Sequence, residues 1–165
     1  MKHLDESFFH RPCLEVAQAL VGKLLCYEGR YLRISETEAY CGQSDTACHA
    51  SKGRTKRTEV MYAPAGTVYI YLCYGMHWML NIVTGEPEEP EAVLIRACIE
   101  APGPGKLTKA LGITGALNGS SVLAPGPLFL CDDNFSCEVT AQKRIGIGYA
   151  AQEDQDKLWR FVIKK

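Results

Sequence analysis

Two carboxylates, Glu36 and Glu38, stand two residues apart in the run ISETEAY at 34–40. In an extended strand, residues two apart share a face. Ile34, Glu36, Glu38 and Tyr40 would then point one way, and Arg33, Ser35, Thr37 and Ala39 the other. A carboxylate on an apolar face beside a tyrosine is partly desolvated, the setting in which it serves as a general base; a solvated hairpin glutamate is the plain alternative. The pair also invites a glycosidase dyad, although a shared strand face suits that geometry only loosely.

Tyrosines crowd the stretch from Tyr62 to Tyr74, with Trp78 close behind, and such rings serve either as core or as platforms on which nucleobases stack. Tyr74-Gly75-Met76-His77 would form an exposed turn able to wedge a duplex apart. Lys52, Arg54, Lys56 and Arg57 lie in a loop without an acid among them and could neutralise phosphates, with Lys106, Lys109, Lys143, Arg144, Lys164 and Lys165 as further cations; a charge run is more often a solvated face. Asn81 and Arg96 interrupt apolar strands and need hydrogen-bond partners there. Cys48-His49 resembles a nucleophile and its base, but neighbours in sequence seldom present both side chains to one atom, and His49 reads better as a pocket wall.

These residues need elements to hold them. Arg11-Pro12 opens a helix in which Leu14, Ala17, Val21 and Leu24 recur at helical spacing, bounded by Gly22. Lys23–Tyr27, the turn Glu28-Gly29-Arg30 and Tyr31–Ala39 form a hairpin. A polar loop over 43–58 follows. The strongest strand, TVYIYLCYGM from Thr67, puts Tyr69, Tyr71 and Cys73 on one face and Val68, Ile70, Leu72 and Tyr74 on the other. Trp78–Val83 and Ala92–Ile99 are strands separated by the acidic turn TGEPEEPE, and Lys106–Leu111 is a short helix stopped by Gly112. Ser121–Cys131, Glu138–Ile147 and Leu158–Ile163 read as further strands. Strands outnumber helices in one mixed α+β domain spanning 1–165.

Composition narrows the classes. The 165 residues carry a net charge of -1, with 47% hydrophobic and 22% charged residues, which excludes disordered and collagen-like chains. No apolar run approaches a membrane span, and MKHLDESFFH carries acids where a signal peptide needs apolar residues, so an intracellular protein without a signal peptide is expected. The acidic total argues against strong non-specific nucleic-acid binding, although Glu86, Glu88, Glu89 and Glu91 bias it and could lie far from the basic loop. Of eight cysteines, Cys26, Cys73, Cys98 and Cys131 sit in apolar stretches and read as core thiols. Neither CxxC spacing nor a zinc pattern with the histidines occurs, so no structural metal and no disulfide framework is expected.

Taken together, ETEAY (36–40), D-x-A-x-H (45–49), TKRT (55–58), VMYAPAGTVYIYLCYGMHWMLNIVT (60–84), VLIRA (93–97), GPGKLTKALGI (103–113), RIGIGYA (144–150) and WRF (159–161) resemble, in order, the alkyladenine or methylpurine DNA glycosylase family. The resemblance implies a curved, mainly antiparallel sheet with flanking helices and a protruding hairpin turn for the DNA minor groove. It implies excision of alkylated or deaminated purines (3-methyladenine, 7-methylguanine, hypoxanthine, ethenoadenine) from double-stranded DNA without cofactor or metal, leaving an abasic site; a monomer is the default expectation. Glu38 would activate water, with Arg96 holding water and carboxylate. Tyr40 would stack on one face of the flipped base and His49 and Tyr71 on the other, with Asn81 crowding the amine of guanine. Tyr74 would fill the vacated stack, flanked by Met76 and His77, and Arg54, Lys56, Arg57 and Lys106 would meet the DNA. Two other functions are compatible with the residues: a catalytically weak damaged-DNA binder and a small-molecule N-glycoside hydrolase using Glu36 and Glu38. The family commonly has a longer segment between the VLIRA strand and GPGKL. Here Ile99-Glu100-Ala101-Pro102 nearly joins them, which with the acidic turn implies weaker, more salt-sensitive DNA binding.

Overall fold

The computed structural model describes residues 1–164. Their elements run β1 (Lys2–His3), α1 (Glu6–Phe9), α2 (Cys13–Leu20), β2 (Leu24–Tyr27), β3 (Arg30–Cys41), β4 (Val68–Cys73), β5 (His77–Thr84), β6 (Glu91–Cys98), α3 (Pro104–Leu111), β7 (Leu128–Asp132), β8 (Val139–Gln142), α4 (Gln152–Asp156) and β9 (Arg160–Ile163). Short 3-10 turns cover His49–Lys52, Thr58–Tyr62 and Gly115–Leu117. The architecture is α+β: the strands form one antiparallel, curled sheet in the order β1-β7-β2-β3-β6-β5-β4, with β9 pairing β3 and β8. Among the described residues no helix is long and apolar enough to cross a membrane.

The curl originates in β3. Its first half pairs with β2, through Arg30↔Tyr27 to Arg33↔Leu24, and its second half with β9, through Glu36↔Val162 to Glu38↔Arg160. Between them the register against β6 shifts twice, at Ile34/Glu36 and Glu36/Thr37. Such an irregularity bends a strand and resets which way its side chains point. Ile34 therefore does not share a side with Glu38 as simple alternation requires. It is buried in the main core with Ala39 and with Val16, Ala17 and Leu20 of α2. Thr37, on that same side, donates its hydroxyl to the Ala17 carbonyl at 2.6 Å.

From β4 to β6 alternation holds. Val68, Ile70, Leu80, Ile82, Val93 and Ile95 join the main core with Leu107 and Leu111 of α3. Tyr69, Val83 and Ala92 join a second buried cluster with Cys48, Ala50, Met61 and Tyr62 from the 42–66 segment, with Tyr40 and Tyr71 packed against it. Helices thus cover one face of the sheet and an irregular loop the other.

Several sequence expectations are corrected. The buried face of α2 is Cys13, Val16, Ala17 and Leu20, since the helix stops at Leu20; Val21 caps it and Leu24 already belongs to β2. Strand is absent over 122–127, because Pro125-Gly126-Pro127 withholds amide donors, and Ser121 makes only an isolated bridge to Thr67. Residues 143–147 leave β8 to line the site rather than extend it. Cys13 and Cys41 form a disulfide across 28 residues, where no disulfide pairing was expected. Sequence context shows whether a cysteine is apolar but not that Thr37, Ala39 and Cys41 face α2. Cys26, Cys98 and Cys131 are buried free thiols, as expected, while Cys73 is only half-buried.

Candidate active site

Glu38 is fully buried in the second half of β3. Its Oε1 accepts from the Tyr40 hydroxyl at 2.8 Å and from Arg96 Nη1 at 3.4 Å, and its Oε2 from the Ile145 backbone N–H at 2.8 Å. Arg96 faces it because Glu38↔Leu94 is the register of β3 with β6, which places position 96 on the same sheet face. A carboxylate has about four acceptor positions; these three donors leave one for a further donor such as water.

Tyr40 holds that carboxylate with its hydroxyl and lines a narrow slot with its ring. Ala47, His49, Met61, Tyr69, Tyr71, Asn81, Ala92 and Tyr149 form the rest of the wall. Burial, reinforced by the Glu38 charge, holds the Tyr40 phenol well above its usual pKa, and burial also raises those of Tyr71 and Tyr69. The aromatic wall is therefore neutral at ordinary pH. His49 Nδ1 lies 2.9 Å from the Tyr69 hydroxyl, and its ring meets Tyr71 edge to face at 4.5 Å. Burial, with the Arg57 and Lys52 charges, pushes its pKa down to about 4. A neutral imidazole offers its π-face without repelling a cation. Asn81 donates both N–H groups to backbone carbonyls, Tyr69 at 3.2 Å and Met79 at 3.3 Å, so it is a fixed wall.

The β4–β5 hairpin projects from the sheet. Tyr74 and Gly75 both have positive φ, 52° and 65°, the backbone of a type I′ turn whose twist matches paired strands. Tyr74 is 91% exposed and Met76 73%. At the hairpin base, His77 packs on α3, where a Cβ at Gly105 would sit 2.7 Å from its ring; only glycine admits that approach. Lys106 is the next residue of the same helix.

The basic loop is divided. Arg54 is bound by Glu59 at 2.6 Å and by Glu88. The acidic turn therefore adjoins the basic loop instead of lying far from it, because the Glu88 amide is anchored on the Tyr62 carbonyl at 2.9 Å. Lys56 is exposed, and the Arg57 guanidinium lies 5.3 Å from the Tyr71 ring centroid. Lys52 and Arg57 line a groove of about 380 Å³ beside the slot, sharing His49 and Tyr149 with it.

Glu38, Tyr40, His49, Tyr71, Asn81 and Arg96 are thus brought together, whereas Tyr74, Met76 and His77 form a separate projection. Glu36 is elsewhere: it meets Arg160 at 3.3 Å and lines a groove with Ala97, Cys98 and Val162, so the two glutamates share a strand face but not a site. Cys48 does not face His49 as a nucleophile; its thiol donates to the Pro90 carbonyl at 3.9 Å, and burial raises its pKa to about 11. Among the described residues no cluster of three His, Cys, Asp or Glu is placed to hold a metal ion. Sequence reasoning gave no role to Ala47, Met61, Tyr69, Ala92 or Tyr149, nor to Asp45 and Ile145, and it offered Arg144 as a cation for phosphate, whereas Arg144 is buried in a pair with Asp45; Lys165, offered likewise, lies outside the described residues. The D-x-A-x-H and RIGIGYA runs carry five of these, but nothing local in either run points to the other.

The chain belongs to the methylpurine-DNA glycosylase family, whose profile matches residues 7–102 and 99–165. The two matched stretches meet where β6 runs almost directly into α3. A relative from Methanocella arvoryzae is 46% identical over 188 aligned positions, covering 99% of this chain and 94% of its own. One from Natranaerobius thermophilus is 41% identical, covering 98% and 95%, and one from Borreliella afzelii is 42% identical, covering 98% and 96%. Each of the three carries a name that assigns it as a 3-methyladenine DNA glycosylase.

Proposed function

We propose that this protein excises damaged purines, alkylated or deaminated, from duplex DNA by hydrolysis, leaving an abasic site. The observation that carries the reading is the buried Glu38 carboxylate, held by Tyr40, Arg96 and Ile145 against an aromatic slot with an acceptor position still open. A base inside a duplex is out of reach at its glycosidic bond, so the nucleotide turns out of the stack, at a few kcal/mol and least at damaged pairs. Tyr40 on one side and His49 with Tyr71 on the other recover about 1 to 3 kcal/mol of stacking. Tyr74 occupies the vacated stack, with Met76 and His77 against the minor groove. Lys56, Arg57 and Lys106 meet phosphates, and Arg54 joins them on exchanging a carboxylate for a phosphate.

The Glu38 carboxylate takes a proton from water as the water oxygen bonds to C1′ and the C1′–N bond breaks; the electron pair of that bond leaves with the purine. Alkylation puts positive charge on the purine, which makes it a better leaving group and a better partner for neutral rings. The neutral His49 serves that partner. A water nucleophile requires no lysine Schiff base, so the strand stays intact.

The test is single-turnover base release from duplexes carrying hypoxanthine or ethenoadenine and from methylated DNA, comparing wild type with Glu38→Gln. Release by wild type, abolished in Glu38→Gln with DNA binding kept, supports the assignment. Lesion binding without release by wild type on every substrate refutes hydrolysis and leaves a binding protein.

A further inference from the structure

Arg144 and Asp45 form an ion pair whose side chains are 0% and 1% exposed. Arg144 Nη1 lies 2.7 Å from Asp45 Oδ2 and Nη2 lies 3.0 Å from Oδ1, a two-pronged contact. The same fork donates to the Ala39 carbonyl at 3.0 Å, between Glu38 and Tyr40, and to the Asp154 carbonyl of α4 at 3.2 Å. Its guanidinium also lies over two rings, Tyr40 at 5.1 Å and Trp159 at 4.9 Å from their centroids. Asp45 accepts from the Cys41 N–H at 3.0 Å and the Ala47 N–H at 3.1 Å. The residue after Arg144 supplies the amide that reaches Glu38 Oε2 at 2.8 Å.

One group therefore touches three parts of the site: the carboxylate through Ile145, the stacking ring of Tyr40, and the 45–49 turn that carries Ala47 and His49. Stability alone is a poor reason for it. A buried ion pair loses solvation that its attraction does not clearly return, and an apolar pair of similar volume often serves as well. This one also leaves Arg144 Nε without a hydrogen-bond partner among the described residues. What a rigid, planar fork supplies and an apolar pair does not is fixed direction.

We infer that the Arg144–Asp45 pair is the positioning unit of the site, holding Glu38 and Tyr40 in register with each other and with the 45–49 turn; the inference rests on the excision reading above. Neither residue touches the base. The pair acts on the reacting geometry, so its loss lowers the chemical step more than it lowers binding. Misplacement by about 1 Å is worth on the order of 100-fold in rate.

The experiment uses the full chain as Arg144→Lys and Asp45→Asn, with Leu130→Ala of the distant β7 core as a stability control. Three quantities are read: folded fraction at the assay temperature, Kd for a duplex carrying a tetrahydrofuran abasic analogue, and single-turnover base release from the wild type's best lesion duplex. The expected result for both site variants is a Kd within about 3-fold of wild type and a release rate per folded molecule 10- to 100-fold lower, on the order set by lost positioning. Lysine keeps the charge but not the fork, so it does not rescue. Leu130→Ala keeps the wild-type rate per folded molecule. Wild-type rates in the folded Arg144→Lys and Asp45→Asn overturn the inference, as does an equal loss in Leu130→Ala. Should Arg144→Lys fail to fold, Asp45→Asn decides. A wild type that releases no base defeats the excision reading itself, and the inference with it, before any variant is compared.

Discussion

Replacing Tyr74 with glycine separates what the turn does for the protein from what it does for DNA. The ring is 91% exposed, so its removal forfeits almost no buried apolar area. Tyr74 also holds φ at 52°, a left-handed backbone that strains an L side chain by roughly 1 to 2 kcal/mol. Glycine relieves that strain but makes the unfolded chain freer, at about 0.4 to 1 kcal/mol. The two effects largely offset, and the free variant is expected to unfold within about 1 kcal/mol of wild type. On duplex DNA the variant loses the ring that fills the vacated stack. Stacking of one base on an aromatic ring is worth about 1 to 3 kcal/mol, which converts to roughly 5- to 150-fold in the population of extruded nucleotide at 1.36 kcal/mol per decade. The assay is single-turnover release of the same lesion from duplex and from the isolated single strand, where no stack is vacated. A loss confined to the duplex is expected. An equal loss on both substrates, or none on the duplex, refutes the wedge.

Glu36→Gln is expected to change single-turnover release by no more than about 2-fold, since the partly exposed pair with Arg160 is worth at most about 1 kcal/mol; a loss approaching that of Glu38→Gln would restore a two-carboxylate site. Acid is expected to destabilise the fold through His49. Its folded pKa of about 4 lies below the ordinary 6.5, so the unfolded chain takes the proton first and stability falls as pH drops from 6.5 toward 4, by up to about 2 kcal/mol between pH 7 and 5. Asp133, held at about 2 by its Arg33 hydrogen bonds, contributes only at lower pH. Urea unfolding at both pH values should therefore show a flatter response in His49→Asn, and an unchanged response would show that His49 is not the group. The Cys13–Cys41 bond closes a loop across 28 residues, worth about 3.6 kcal/mol in the loop-entropy treatment. Reductant should lower wild-type stability by that order and leave Cys13→Ser unaffected, and a wild type indifferent to reductant would refute the crosslink.

Local chemistry and local period were readable directly. The alternation of Val68 to Tyr71 sorted core from slot residues correctly, because both faces of that part of the strand pack against different partners and no irregularity interrupts it; Leu72, beyond it, is 42% exposed. The β3 alternation failed at one place, Ile34, because the bulge depends on which strand lies alongside, and β2 and β9 exchange that position there. The Cys13–Cys41 bond was hidden for the same reason: it requires the face of β3 that α2 covers. The acidic turn could not be placed from composition, because its contact with Arg54 is made through the fold.

The sequence by itself determined the residue types of the site and their grouping into runs: a glutamate beside a tyrosine, rings on alternate positions, a tyrosine and glycine fit for a tight turn, and motifs collinear with one family. Those properties depend on neighbours within a few residues. Only the tertiary structure decided that Glu38 receives an amide from Ile145 and that Arg144 reaches Asp45. It likewise decided that Glu36, two residues from Glu38, belongs to a different groove. Side chains far apart in the chain meet where sheet curl and loop packing bring their backbones together, and no short stretch of sequence carries that geometry.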